Sequence, residues 1–382
     1  MDVRPPAPTP GRDRSATLAQ RLTSLAQRSA WLANRRAHGA AMIELMVALA
    51  IGLVVALAAL DNARSFSTMS RTQTGSGSAL VSGAAAIGAL KYDLQMAGLG
   101  FYSDATSLCP TLNLYANGTR LANSTAFQSA RVNRMADGTD QVEVVYGTAV
   151  NAGAGARTMS PMAGAMSSTT VNIGAGITAG QAVMFAAPTL GLPCTVATVS
   201  TAVDGASSRT LTFATPARFT PAAWAATFTV APSYQDSSWI SPLGDVVWRR
   251  YYVRNDALYM LDVLTNVESL IAEGIVEIRA QYGLSVDAAT TTVSAWQDAA
   301  GNAALAAAVQ GRMRAIRIGV LAVNTQRERP VAAGNCDATS ALPQLWAGET
   351  VDLTTRANWQ CYRYRPLSTV IALRNNQWGQ SL

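Results

Sequence analysis

Residues 40–60 read AAMIELMVALAIGLVVALAAL, 21 residues with a single charge, Glu44. As an α-helix this stretch spans roughly 32 Å, about the hydrocarbon thickness of a bilayer. The flank before it is basic. Residues 1–39 hold seven arginines (Arg4, Arg12, Arg14, Arg21, Arg28, Arg35 and Arg36) against Asp2 and Asp13, a net +5. Asp61 follows the stretch on its other side. By the positive-inside bias the N-terminus stays cytoplasmic and residues 61–382 are translocated. A cleaved secretory signal ending near the alanine-rich Ala56–Ala59 is one alternative, and a core helix of a soluble domain is another. Length and charge asymmetry favour the span. Glu44 then stands out, because a carboxylate in a spanning helix is costly. Either it lies at the interface and reaches water, or it meets a positive partner in apolar surroundings.

The whole chain has 382 residues, 49% apolar and 14% charged, enough for one large or two ordinary domains with a sizeable core. Beyond residue 39 there are 22 basic and 21 acidic residues, a net +1, so the bulk of the protein is not a natural polyanion binder. The one histidine, His38, belongs to the basic flank. His-based triads and His-ligated zinc are thereby excluded from the rest. Lys91 is the sole lysine and has no P-loop or Schiff-base setting. The paired glycines at Gly75 and Gly77 and at Gly153 and Gly155 lack the third glycine of a dinucleotide motif. No catalytic residue, metal or cofactor is expected. Glu273 and Glu277 read as ordinary surface charges.

The proline-rich leader (Pro5, Pro6, Pro8, Pro10) reads as disordered. From Ala40 a helical pattern continues past the span, through a soft spot at Thr74–Ser78, where two glycines cost roughly 1 kcal/mol each. It resumes with Leu80, Ala84, Ile87, Leu90 and Leu94 at helical spacing and ends at Gly98 and Gly100. One long helix, or two collinear halves, is predicted over about 40–97. Short β-like runs follow at Gln141–Tyr146, Thr170–Ile173, Gln181–Ala186, Thr195–Val203 and Thr210–Ala214. The stretch Ala149–Ser168 reads as a loop of low complexity. Further on, Val246–Arg254 and Ala257–Met260 flank Asn255-Asp256, a hairpin signature. The block Leu270–Leu284, the alternating run Met313–Val323 and Cys361–Asn375 complete a β-rich C-terminal part.

The arginine–aromatic clusters at Trp248–Arg254 and Tyr362–Arg365 have two readings. One is single-stranded nucleic-acid binding. The other, favoured by the near-neutral charge, places the aromatics against a core and the guanidinium groups outside, so no nucleic acid is expected. Four cysteines, Cys109, Cys194, Cys336 and Cys361, all fall on the translocated side, where an even count suggests disulfides. Three connectivities are open. Cys336–Cys361 closes a loop of about 25 residues, worth roughly 3 kcal/mol in the entropic model, and Cys109–Cys194 follows by elimination.

The run from His38 to Gly52 resembles the class III signal of type IV pilins. The carriers are the basic leader, Gly39 before the cut, Glu44 at the fifth position after it, and the apolar run that follows. Ala40 and Ala41 stand where that family usually has Phe or Met and then Thr or Ser. The resemblance implies that a prepilin peptidase cuts between Gly39 and Ala40 and methylates the new Ala40 amine. Glu44 then neutralises an N-terminal ammonium, usually a neighbour's, and sets axial register. The later blocks resemble the PilW family of minor pilins: Trp-Arg-Arg-Tyr-Tyr-Val from Trp248, Glu-Gly-Ile-Val-Glu from Glu273, Arg-Ala-Ile-Arg-Ile-Gly-Val-Leu from Arg314 and Leu-Arg-Asn from Leu373.

The expected fold is therefore α+β and pilin-like: a cleaved cytoplasmic leader (1–39), a long N-terminal helix (40–100) with a transmembrane half (40–60), and a periplasmic β-rich antiparallel domain (101–382) with a variable insert at about 101–240. The implied protein is not an enzyme. It is a minor pilin, held in the inner membrane and then in the pilus, that primes assembly with other minor pilins and the major pilin. A tip complex supporting an adhesin is its expected place, and inner-membrane lipid its first surroundings. A J-like pseudopilin of type II secretion shares the N-terminal motif and differs by loss of secretion rather than of twitching. A membrane-tethered binding or enzymatic domain is the reading from another class. It predicts an uncut or differently cut N-terminus and a pocket within 101–240.

Overall fold

The computed structural model describes residues 40–104, 107–152, 154–162, 166–172, 176–301, 305–328 and 336–377. The leader, with Gly39, lies outside them. The chain divides into two compact units, one up to Arg71 and one from Thr72. Helix α1 spans Ala40–Met96. In the first unit its side chains, from Met42 on, are exposed wherever they are described.

In the second unit α1 buries Gly75, Ala79, Gly83, Ala86, Leu90 and Leu94. This face is rotated from the one the apolar spacing suggests: Leu90 and Leu94 are buried, but Leu80 is 54% exposed and Ala84 is exposed as well. Small residues decide the rotation, because they let the helix backbone approach the sheet. A Cβ on Gly75 would overlap the Asn324 carboxamide, and one on Gly83 would run into Leu367. The soft spot is thus a packing notch, and the helix continues through it.

The strands follow in chain order. β1 (Thr111–Ala116) and β2 (Thr119–Ala126) form a hairpin, as do β3 (Ala130–Arg134) and β4 (Asp140–Gly147). Next come β5 (Ala156–Arg157), β6 (Ser168–Asn172), β7 (Ala182–Ala187), β8 (Leu192–Thr198), β9 (Thr201–Asp204) and β10 (Ser208–Thr212). β11 (Trp239–Gly244), β12 (Val246–Arg254), β13 (Ala257–Asp262) and β14 (Val267–Glu273) lead to β15 (Ile275–Leu284), β16 (Ala295–Asp298) and β17 (Met313–Val323). A small hairpin, β18 (Gln344–Trp346) and β19 (Glu349–Thr350), precedes β20 (Tyr364–Ala372).

Three larger sheets result. The order β14-β13-β12-β4-β3 and the order β16-β15-β17-β20 are antiparallel throughout. The order β2-β1-β8-β7-β11-β5 contains one parallel pair, β1 with β8. β6-β10-β9 adds a fourth, small sheet. β3 and β4, from the middle of the chain, complete the same sheet as the β12–β13 hairpin. The Leu270–Leu284 block falls in two strands, β14 and β15. Gly274 breaks it at φ +71°, where a Cβ would lie 2.9 Å from the Val323 carbonyl oxygen. The chain crosses from one antiparallel sheet to the other at that glycine. Around Ala149–Ser168 the expected loop is only part of the outcome: Met162 and Met166 are fully buried in a core with Phe185, Phe213 and Tyr234.

The main core lies between α1 and the two antiparallel sheets. Leu90 and Leu94 pack with Val132, Val142, Val144, Ile316, Ile318 and Val320. The alternation of β17 places Ile316, Ile318, Val320 and Ala322 there, while Leu321 and Val323 on its other face pack with Leu345, Val351 and Leu353. Both faces of this strand are therefore covered.

Candidate functional site

Two carboxylates on α1 mark its two chemically distinctive places. Glu44 lies in the segment Met42–Ser67, which has mean hydropathy 2.6 and no buried part. Met42 is 76% exposed and Leu49 65%. Burying one such side chain is worth roughly 1.5–3 kcal/mol, so a full turn of them left in water is untenable. By length and composition the segment is long and apolar enough to cross a membrane. Glu44 is exposed within it and, among the described residues, has no ion-pair or hydrogen-bond partner. Ala40 opens the helix. The expected cut between Gly39 and Ala40 involves Gly39, outside the described residues.

Asp93 is fully buried on the face of α1 that meets the sheet. Its Oδ1 accepts from the Tyr146 hydroxyl at 2.8 Å and from Arg249 Nη1 at 2.9 Å. Its Oδ2 accepts from the Tyr251 hydroxyl at 2.7 Å. Burial, reinforced by the Asp93 charge, pushes both phenols well above their ordinary values. Three donors from β4 and β12 thus converge on one helical carboxylate and lock the helix to the sheet. Sequence reasoning passed over Asp93. The available signal is its position, three residues after Leu90 and next to Leu94 on the helix's buried side.

The β12 register corrects the expected placement of the arginines. Arg249 and Tyr251 share the face toward α1, so a guanidinium points into the core side and not outward. Arg250 pairs with Glu143 at 3.1 Å and Arg254 with Glu268 at 2.6 Å. Arg363 pairs with Glu328. Glu277 is likewise no surface charge: it is 7% exposed and lies against Arg279 as an ion pair. Burial outweighs that partner and holds its carboxyl above the usual range.

The structure joins Cys109 to Cys194, with Cα atoms 6.2 Å apart, and Cys336 to Cys361, at 4.8 Å. The first ties the approach to β1 onto β8 beside the parallel pair. The second closes the segment that carries the β18–β19 hairpin over β17. Among the described residues no group of three or more His, Cys, Asp or Glu is placed to hold a metal ion.

Residues 249–375, from β12 to just past β20, match the family model described as Type IV Pilus-assembly protein W. Residues 34–60 match the Prokaryotic N-terminal methylation motif. No curated protein and no solved structure matches the chain.

Proposed function

The chain is a PilW-family type IV pilus-assembly protein with a prepilin-type methylation motif, and from that premise we propose that it works as a minor pilin that primes pilus assembly. The motif implies processing by prepilin peptidase, and the family is a structural one. In our reading the peptidase cuts between Gly39 and Ala40 on the cytoplasmic face and methylates the Ala40 amine. The mature protein waits in the inner membrane with residues 61–382 in the periplasm. It then joins other minor pilins and the major pilin, in a tip complex that supports an adhesin.

The observation that carries this reading is the exposed apolar segment of α1 with its one carboxylate five residues after Gly39. In lipid, such a segment is satisfied until it is extracted. In a filament it is satisfied by neighbouring helices. Glu44 has a partner in that second setting, the methylated amine of another subunit. An ion pair in a low dielectric is favourable only with both members in place, so it rewards one axial register over others. The globular part, held to the helix through Asp93, supplies the lateral contacts.

N-terminal mass spectrometry of the protein from its native membrane tests the reading. A mature chain beginning at N-methyl-Ala40, absent when the prepilin peptidase is deleted, is expected. A chain beginning at Met1, or after about Ala59, would overturn it.

A further inference from the structure

The two antiparallel sheets have four edge strands, and three of them are guarded. On β3 the outward main chain is taken: the Tyr282 hydroxyl accepts from the Val132 N–H and donates to the Val132 carbonyl, and the Arg134 N–H donates to the Gly301 carbonyl. β16 is only four residues long. β20 carries Pro366, which has no N–H to offer. β14, seven residues long, has none of these devices. Among the described residues its main-chain groups bond to β13 alone. Val267 is 57% exposed and Leu270 50%, where a guarded edge carries lysine or proline.

An unpaired edge offers alternate N–H and C=O groups to an extended chain, and the side chains beside it decide which chain fits. Strand register fixes those side chains. Leu270 stands opposite Tyr259, and Tyr259 opposite Tyr252. Tyr251, the neighbour of Tyr252, points to Asp93, so this row lies on the sheet face turned away from α1. The two rings stack at 6.1 Å and make an apolar shelf beside the middle of the edge. Charge marks the ends. Glu268 is already neutralised by Arg254 at 2.6 Å. Asp262, opposite Val267 at one end, accepts among the described residues only from the Leu264 and Thr265 N–H groups, and Arg249 beside it is taken by Asp93. Glu273, at the other end, is exposed and has no ion-pair partner among the described residues. Each end of the edge thus carries one uncompensated negative charge. A second copy of the same edge fits badly. Run antiparallel, it brings Glu273 of one chain to the Val267 and Asp262 end of the other, like charge to like charge. A strand with basic ends fits.

We propose that β14 takes up, as an added strand of its sheet, an extended segment of another subunit that is apolar at its centre and basic at both ends. That the donor is an assembly subunit rests on the assembly reading, whereas the peptide test does not use that reading, so the two fail separately. The full chain in detergent is titrated with two labelled peptides, Lys-Thr-Val-Thr-Val-Thr-Lys and its twin with glutamate at both ends, read by fluorescence anisotropy. The basic-ended peptide should bind about tenfold tighter than its twin and should slow hydrogen exchange at Val267–Glu273. Leu270→Lys, at an exposed position, should weaken that binding about tenfold at an unchanged melting temperature. Glu273→Lys should bring the two peptides within about threefold of each other, and it keeps the proposal testable if Leu270→Lys does not fold. No binding of the basic-ended peptide at about 1 mM overturns the proposal. So does equal binding of the twins to the unsubstituted chain, or protection confined to other strands. In cells, Leu270→Lys should reduce pilus number while the cut after Gly39 stays complete. Full piliation by that variant would overturn the donor's place in the assembly.

Discussion

Glu44 and Asp93 are carboxylates on the same helix, each among alanines and leucines, and their surroundings are opposite. Asp93 is fully buried and receives three donors, Tyr146, Arg249 and Tyr251, from its own chain. Glu44 is exposed on an apolar segment with no partner among the described residues. The difference teaches where each charge is completed. The fold completes Asp93, so it belongs to the stability of the globular part. Nothing described in the chain completes Glu44, and the assembly reading assigns that task to a neighbour.

The strongest way to break this comparison is to remove Asp93. Its removal leaves the buried Tyr146 and Tyr251 hydroxyls unpaired, at about 1–3 kcal/mol each, and takes the partner from Arg249. Asp93→Ala should lower the melting temperature of the detergent-solubilised chain by about 10 °C. Tyr251→Phe deletes one neutral donor and should cost less, about 1–3 kcal/mol. No effect from either variant would show that α1 is held by apolar packing alone, and equal losses would assign the whole contribution to the Tyr251 bond.

How far the sequence reveals each site follows from the separation of its parts. The Glu44 environment is one contiguous stretch, so the apolar run and its charges display it directly. The β12–β13 hairpin is similarly local: Asn255 and Asp256 take φ +52° and +56°, the left-handed geometry their side chains tolerate. β17 is legible from the apolar run Met313–Val323, with Ile316, Ile318, Val320 and Ala322 at alternate positions. Asp93 was not legible because its partners lie 53, 156 and 158 residues away, and only tertiary register brings them together. The helix face was misread for a related reason. Periodicity identifies large apolar residues, whereas contact with the sheet required the small ones, Gly75, Ala79 and Gly83. β1 is short, and its alternation of Leu112, Leu114 and Ala116 with Thr111, Asn113 and Tyr115 was passed over; TRLANSTA of β2 carries little alternation, and its pairing with β1 does the work.

Glu277 sharpens the comparison as an intermediate case: buried, with Arg279 as partner, and with Glu349 at 3.5 Å from the same guanidinium. Its carboxyl is held above the usual range, so the folded chain favours the ionised form less than the unfolded chain does. A raised folded-state value gives a stability contribution that is fully present below the unfolded-state value, about 4.3 for Glu, and lost as pH rises through the folded one. Glu277→Gln keeps the neutral shape at every pH. Its melting temperature should exceed that of the unsubstituted chain at pH 7, and the gap should close as pH falls toward about 4. A gap of opposite sign at pH 7 would mean that the Arg279 pairing outweighs burial, which would move Glu277 to the side of Asp93.

The smallest expected effect on stability is the most informative for assembly. Glu44→Ala should leave the melting temperature within about 0.5 kcal/mol equivalent, as for any exposed position, and should leave the cut at Gly39 intact, while pilus number falls sharply. Ala40 and Glu44 are four residues apart on α1, one turn along the same face. The amine of the same chain is therefore a competing partner for Glu44. A pair within one chain would neutralise the charge for life in the membrane, yet it would register nothing against a neighbour. Its loss would show as reduced membrane insertion. A pair between chains would leave insertion normal and show only when subunits stack. Normal insertion with few pili thus identifies the neighbour's amine as the partner. Reduced insertion with pili in proportion to the protein that remains would assign Glu44 to its own chain and remove it from the assembly mechanism.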